Sequence, residues 1–127
     1  MTIFAGAKAV AFVMVADREK AVVFYRDALG LTHISTDEHG DAFRFGDDVM
    51  RLTAVPDWKP GPHPVIGWEV DDITATVGAL AEKGITMTIY DGMGIDADGI
   101  WRAPDGRAAL AWFSDPEGNC LMLSQHA

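Results

Sequence analysis

The run AVAFVMV from Ala9 to Val15 is short, apolar and rich in β-branched and aromatic side chains, and it gives way at once to Asp17-Arg18-Glu19-Lys20. This pattern predicts a buried strand passing into a helix, with Asp17 as the N-cap. Ala21, Phe24, Tyr25 and Ala28 recur at helical spacing and Gly30 supplies a left-handed stop, so the helix is expected to reach about Leu29. Strand-like segments follow at Thr32 to Thr36, Ala42 to Phe45 and Val49 to Ala54, divided by the turn residues His39-Gly40 and Gly46-Asp47-Asp48.

The stretch from Pro56 to Pro64 holds four of the six prolines and reads as a linker. Beyond it the opening pattern returns. VIGWEVDD at Val65 to Asp72 repeats VAFVMVAD at Val10 to Asp17, a second helix is expected from Ile73 to Lys83, and Gly84 stops it as Gly30 stops the first. Ile85 to Tyr90 then alternates like the strand after Leu31, and Ile100 to Ala103, Ala108 to Phe113 and Cys120 to Ser124 supply further strands. The chain is thus an internal duplication in which each copy reads β-α-β-β-β. The expected fold is α+β: one domain over residues 1–127, with module 1 at about 8–55, a linker at about 56–64 and module 2 at about 65–125. The two modules form a curved mixed sheet around a cleft, with helices outside.

A length of 127 residues suits one domain. Nineteen acidic against ten basic residues give a formal charge of −9, which disfavours nucleic acid and anionic lipid and favours neutral or cationic small molecules. The single Cys120 cannot form an internal disulfide, in keeping with a cytoplasmic setting. The apolar N-terminal run lacks a positive leader region and is interrupted by Lys8, so it is not taken as a targeting segment, and no membrane association is expected.

Three segments carry a family likeness: AVVFYRDALGL at Ala21 to Leu31, VDDITATVGALAEKGI at Val70 to Ile85 and WFSDPEGNCLML at Trp112 to Leu123. Together, on a duplicated frame, they resemble the glyoxalase and bleomycin-resistance group of the vicinal oxygen chelate superfamily, from about Lys8 to Ser124. The resemblance implies paired βαβββ modules around a cleft, commonly completed by a homodimer, but it leaves the chemistry open among lyases, isomerases, dioxygenases, thiol transferases and drug-binding proteins.

In the metal-dependent members the ligands stand at positions that here hold Val10, Arg51, Val65 and Met122. None of these side chains binds a hard divalent cation in the expected way, so no metal and no other cofactor is expected. His63, two residues before Val65, is the first suspect for an atypical site, although a solvated loop histidine is the simpler reading. The segment from Tyr90 to Trp101 lacks the alternation and the closing Glu of a calcium loop; it reads as an irregular cover contributing Tyr90, Met93 and Trp101.

Strand alternation, anchored on those positions, sends Val10, Phe12 and Met14 toward the cleft and Val13 and Val15 beneath the first helix. In the repeat, Val65, Gly67 and Glu69 face the cleft, and Trp68 is expected in the core. Arg51 and Glu69 are the two inward charges, read first as an internal salt bridge and second as a receptor for a substrate carboxylate and a base, Glu69 being the candidate catalytic residue. Four tryptophans include Trp101 and Trp112 near the cleft, where aromatic faces hold flat or cationic ligands. Whether Trp112 or Phe113 points inward stays open. Cys120 reads as an inert buried thiol, and Trp58 as a rim or dimer contact.

The expected ligand-binding set is therefore Phe12, Met14, Arg51, Glu69, Trp101, Trp112 and Met122. Binding of a small aromatic or cationic molecule, as in sequestration of a toxic compound, is the leading expectation. The alternative is a small enzyme of the same superfamily using Glu69 as base or an atypical metal site.

Overall fold

The structure, a computed structural model, describes residues 2–127. The chain divides into two compact units, Met1–Lys59 and Pro60–Ala127, with the boundary inside the proline-rich linker. Among the described residues, no helix is long and apolar enough to cross a membrane.

In the first unit, β1 (Val10–Val15) leads through Asp17, whose side chain accepts from the Lys20 amide, into α1 (Arg18–Val23). The helix does not run as a plain α-helix to Leu29. It widens into a π-helical turn at Phe24–Ala28, closed by the bond from the Leu29 N–H to the Phe24 carbonyl at 3.0 Å. Gly30, at φ +74°, then turns the chain into β2 (Thr32–Thr36), followed by β3 (Gly40–Phe45) and β4 (Asp48–Ala54). The strands lie in the order β1-β4-β3-β2, with β1 parallel to β4 and the other pairs antiparallel. Val13, Val15, Tyr25, Phe43, Met50 and Leu52 are completely buried. Burial of each large apolar side chain contributes about 1.5–3 kcal/mol before the entropy of ordering is subtracted.

The second unit repeats this order. β5 (Pro64–Glu69) is followed by Asp72, which caps α2 (Ile73–Glu82) by accepting from the Ala75 amide at 3.0 Å. The helix ends with Gly84 at φ +81°, where the Ile85 N–H reaches the Leu80 carbonyl and the Gly84 N–H that of Ala81, a Schellman closure. β6 (Ile100–Arg102), β7 (Ala108–Ser114) and β8 (Cys120–His126) complete a sheet of order β5-β8-β7-β6. Each module is therefore βαβββ with its own four-stranded mixed sheet, the parallel pair being β5 and β8 in the second.

One expected strand is corrected. Ile85 to Tyr90 makes a single bridge, in which the Thr88 N–H donates to the Trp112 carbonyl at 2.6 Å. β6 already pairs with residues 109–111 on that side of β7, so β6, rather than the segment after α2, holds the place that β2 holds in the first sheet.

The turn between β7 and β8 is held by Asp115. One carboxylate oxygen accepts from the Glu117 and Asn119 backbone N–H groups, each at 2.9 Å, and the other accepts from the Asn119 side-chain amide at 2.9 Å. Asn119 is completely buried and Asp115 nearly so. Asp115→Ala strands these donors in the interior, and a loss of about 1–3 kcal/mol is expected in urea denaturation. A loss below a few tenths would mean that water replaces the carboxylate freely.

Candidate functional site

Each sheet packs one face under its own helix and leaves the other open. In the first sheet, Val13 pairs with Leu52 on the packed face, while Val10, Phe12 and Met14 pair with Val49, Arg51 and Thr53 on the opposite one. Phe12, inside β1, is 59% exposed and Val10, at its start, 42%, high values for large apolar side chains on a sheet. Arg51 stands beside Phe12 in register, and its Nη2 lies 3.4 Å from the Asp37 carboxylate. Within the first unit, the carboxylate that meets Arg51 is Asp37, in the turn before β3. Asp37 is held below the usual carboxylate range chiefly by the backbone N–H groups of His39 and Gly40, with a smaller contribution from Arg51. It stays ionised and spans the turn and β4.

In the second sheet the register sorts the aromatic residues. Ile66 pairs with Leu121, Trp68 with Leu123, and Phe113 with Leu121, so these side chains share the face packed against α2. Trp68 stacks on Phe113 with centroids 6.4 Å apart and planes at 27°. Phe113 is buried, and Trp112, its neighbour in sequence, therefore stands on the open face.

That open face is continuous across the sheet. Gly67 pairs with Met122 and Met122 with Trp112; Glu69 pairs with Ser124, Ser124 with Leu110, and Leu110 with Trp101. Glu69, Met122, Trp112 and Trp101 thus lie on one side of one sheet. Gly67 has a local packing reason: a Cβ there would stand 2.9 Å from the Met122 Cγ, so the missing side chain lets the thioether lie against β5.

The segment after α2 adds a residue that the sequence placed only in a general cover. Tyr90 meets Trp112 edge to face, with centroids 5.7 Å apart and planes at 81°, and its hydroxyl lies 3.8 Å from the Cys120 Sγ. Burial, with a further contribution from Cys120, pushes the Tyr90 phenol above its ordinary value, so it remains a neutral hydroxyl at neutral pH. Cys120 is buried beneath it. Chemically, the face offers aromatic surface, a soft thioether, a neutral hydroxyl and one exposed carboxylate, Glu69.

The side chains do not fit the metal that the resemblance implies. Val10 and Val65 present hydrocarbon, Met122 a thioether lying on Gly67, and Arg51 a cation paired with Asp37. Among the described residues, no three His, Cys, Asp or Glu side chains are gathered so as to hold a metal ion. His63 is exposed and joins no such group.

The Glyoxalase/Bleomycin resistance protein/Dioxygenase superfamily model matches residues 8–123. No curated protein matches the chain significantly. Among solved structures, a member of the same superfamily from Sphaerobacter thermophilus is 25% identical, with a TM-score of 0.71 over 94% of this chain and 96% of that one. A glyoxalase/bleomycin resistance protein/dioxygenase from Alicyclobacillus acidocaldarius is 16% identical, with a TM-score of 0.72 over 94% of this chain and 90% of its own. A virulence protein from Salmonella typhimurium, 20% identical, has a TM-score of 0.67 over 93% and 94%. With its two βαβββ modules and a family match over nearly its whole length, the chain belongs to the Glyoxalase/Bleomycin resistance protein/Dioxygenase superfamily.

Proposed function

We propose that this protein binds a flat, cationic small molecule without a metal, and that its function is capture of such a compound. The observation that carries this reading is the shared open face of Trp101, Trp112 and Met122, with Tyr90 edge-on to Trp112 and Glu69 on the same side. An indole face attracts a cation through its quadrupole while stacking on a planar ring, contributing about 0.5–2 kcal/mol beyond apolar burial. A formal charge of −9 raises the local concentration of cations. Phe12, Met14 and Arg51 share the open face of the first sheet, Arg51 with its charge answered by Asp37. A homodimer belongs to the same proposal, supported by the exposure of Val10 and Phe12.

The experiment is calorimetric titration with N-methylquinolinium and, separately, with neutral 2-methylquinoline. The cation is expected to bind roughly 2- to 30-fold more tightly, the range that the cation–π contribution spans. Glu69→Gln should weaken the cation by roughly two- to fivefold, leave the neutral ring unchanged, and flatten the salt dependence. Equal binding of both rings, or no binding of either, would overturn the proposal.

A further inference from the structure

A second concavity lies on the helix side of the second sheet, away from the aromatic face. Along the segment after α2, the Thr88 backbone and the Tyr90 ring meet Trp112, while Ile85, Thr86, Met87 and Ile89 line a cavity of about 480 Å³. Val77, Gly78 and Ala81, on one side of α2, form the opposite wall, and the volume lies in the range of small-molecule sites.

The walls are built rather than accidental. The Asp96 carboxylate accepts from the Asp98 and Ile100 backbone N–H groups at 2.9 and 3.0 Å, which fixes the loop leading to β6. Gly99, at φ +88°, lets Met87 lie where a Cβ would stand 2.3 Å from its own. Gly78 has neither excuse. It sits in the middle of α2 without a positive φ, and an added Cβ would meet nothing within 4 Å. A glycine inside a helix is unfavourable relative to alanine, and here the space it leaves belongs to the cavity.

Among the described lining residues only Asp98 is charged. Arg102 reaches the rim, where its Nη2 donates at 3.3 Å to the hydroxyl of Thr74, itself a lining residue, and its Nε forms an ion pair with Asp96 at 3.9 Å. An apolar groove with one carboxylate and no lining cation complements a compact aliphatic ammonium. We infer that this groove is a second ligand site, which takes an alkyl or cycloalkyl ammonium with its hydrocarbon on Val77, Ala81, Ile85 and Met87 and its charge at Asp98. The groove shares no lining residue with the aromatic face, so the resonances that move tell binding at one from binding at the other.

The test is protein-observed amide and indole NMR on the full chain, titrated with cyclohexylmethylammonium and with neutral cyclohexylmethanol. Saturable shifts are expected at Gly78, Ala81 and Gly99, with the alcohol weaker by roughly two- to fivefold. Asp98→Asn should remove that preference, and Gly78→Leu should abolish binding. Gly78→Ala is the control for folding: it should melt at a higher temperature than the wild type. Equal binding of the alcohol, undiminished binding to a folded Gly78→Leu, absence of saturation, or shifts confined to the Trp101 and Trp112 indoles would each overturn the inference.

Discussion

Replacing Asp41 with asparagine is expected to cost about 3–5 kcal/mol, a large share of the roughly 5–15 kcal/mol that holds a domain folded. Asp41 lies on β3 with its side chain 4% exposed, on the face packed beneath α1. One oxygen accepts from the Arg18 Nε at 2.5 Å; the other accepts from the Thr36 hydroxyl at 2.5 Å and meets the His33 Nε2 at 2.7 Å. Arg18 also donates to the carbonyls of Asp37 and Gly40, so one guanidinium ties α1 to the β2–β3 turn. Removing the carboxylate leaves Arg18 partly buried without its counter-charge, and the charge left behind accounts for most of the loss.

The same cluster sets an acid dependence. Burial alone would raise the Asp41 pKa, but bonds from Thr36, Arg18 and His33 and the Arg18 charge outweigh it and hold the group below its ordinary value of 3.8. A depressed folded pKa means stabilisation that is complete above the unfolded value and lost as the pH falls through the folded one. Urea midpoints measured from neutral pH to pH 2 should therefore fall more steeply for the wild type than for Asp41→Asn. Parallel curves, or a neutral-pH loss under 1 kcal/mol, would show the cluster to be incidental.

Trp112→Ala is expected to weaken N-methylquinolinium by about 1–3 kcal/mol, or roughly 5- to 150-fold in Kd, the range measured when an aromatic stacking platform is removed. The residue is central to the open face: Met122 is its partner in register, Thr88 bonds its carbonyl, and Tyr90 abuts its ring. Truncation removes the stacking surface and the edge that positions Tyr90. Trp112→Phe should retain most of the affinity. Because the side chain points away from the packed face, the Ala variant should unfold within about 1 kcal/mol of the wild type, whereas Phe113→Ala, in the core, should lose about 3–5 kcal/mol. Full ligand affinity in a folded Trp112→Ala would move the site elsewhere.

Much of the fold was legible because local signals agreed with burial. Val13 and Val15 alternate with Phe12 and Met14 in sequence and separate in the same way by exposure, while Asp17, Gly30 and Gly84 act as the helix boundaries they suggest. Ile85 to Tyr90 misled because its alternation is real yet the pairing site was taken: alternation describes two faces, and only the competition with β6 for the edge of β7 decides whether a strand forms. Trp112 and Phe113 were ambiguous for a related reason. Adjacent strand residues must take opposite faces, but which takes the core depends on Leu121 and Leu123 across the ladder. Asp41 carried no local signal, since its partners come from α1 and β2 and meet only after the chain folds. Asp37 was detectable in principle, as an Asx turn two residues before His39-Gly40, but its hold on Arg51 was not.

The most direct single measurement is a tryptophan-fluorescence titration with N-methylquinolinium, run on protein stripped with EDTA and on the same protein supplied with manganese, nickel or zinc, with metal content determined in each sample. A hydrocarbon, guanidinium and thioether set at Val10, Val65, Arg51 and Met122 predicts superimposable quenching curves and no stoichiometric metal. Quenching that appears only with a stoichiometrically bound metal would contradict a metal-free site and return the chain to the metal-dependent members of its superfamily.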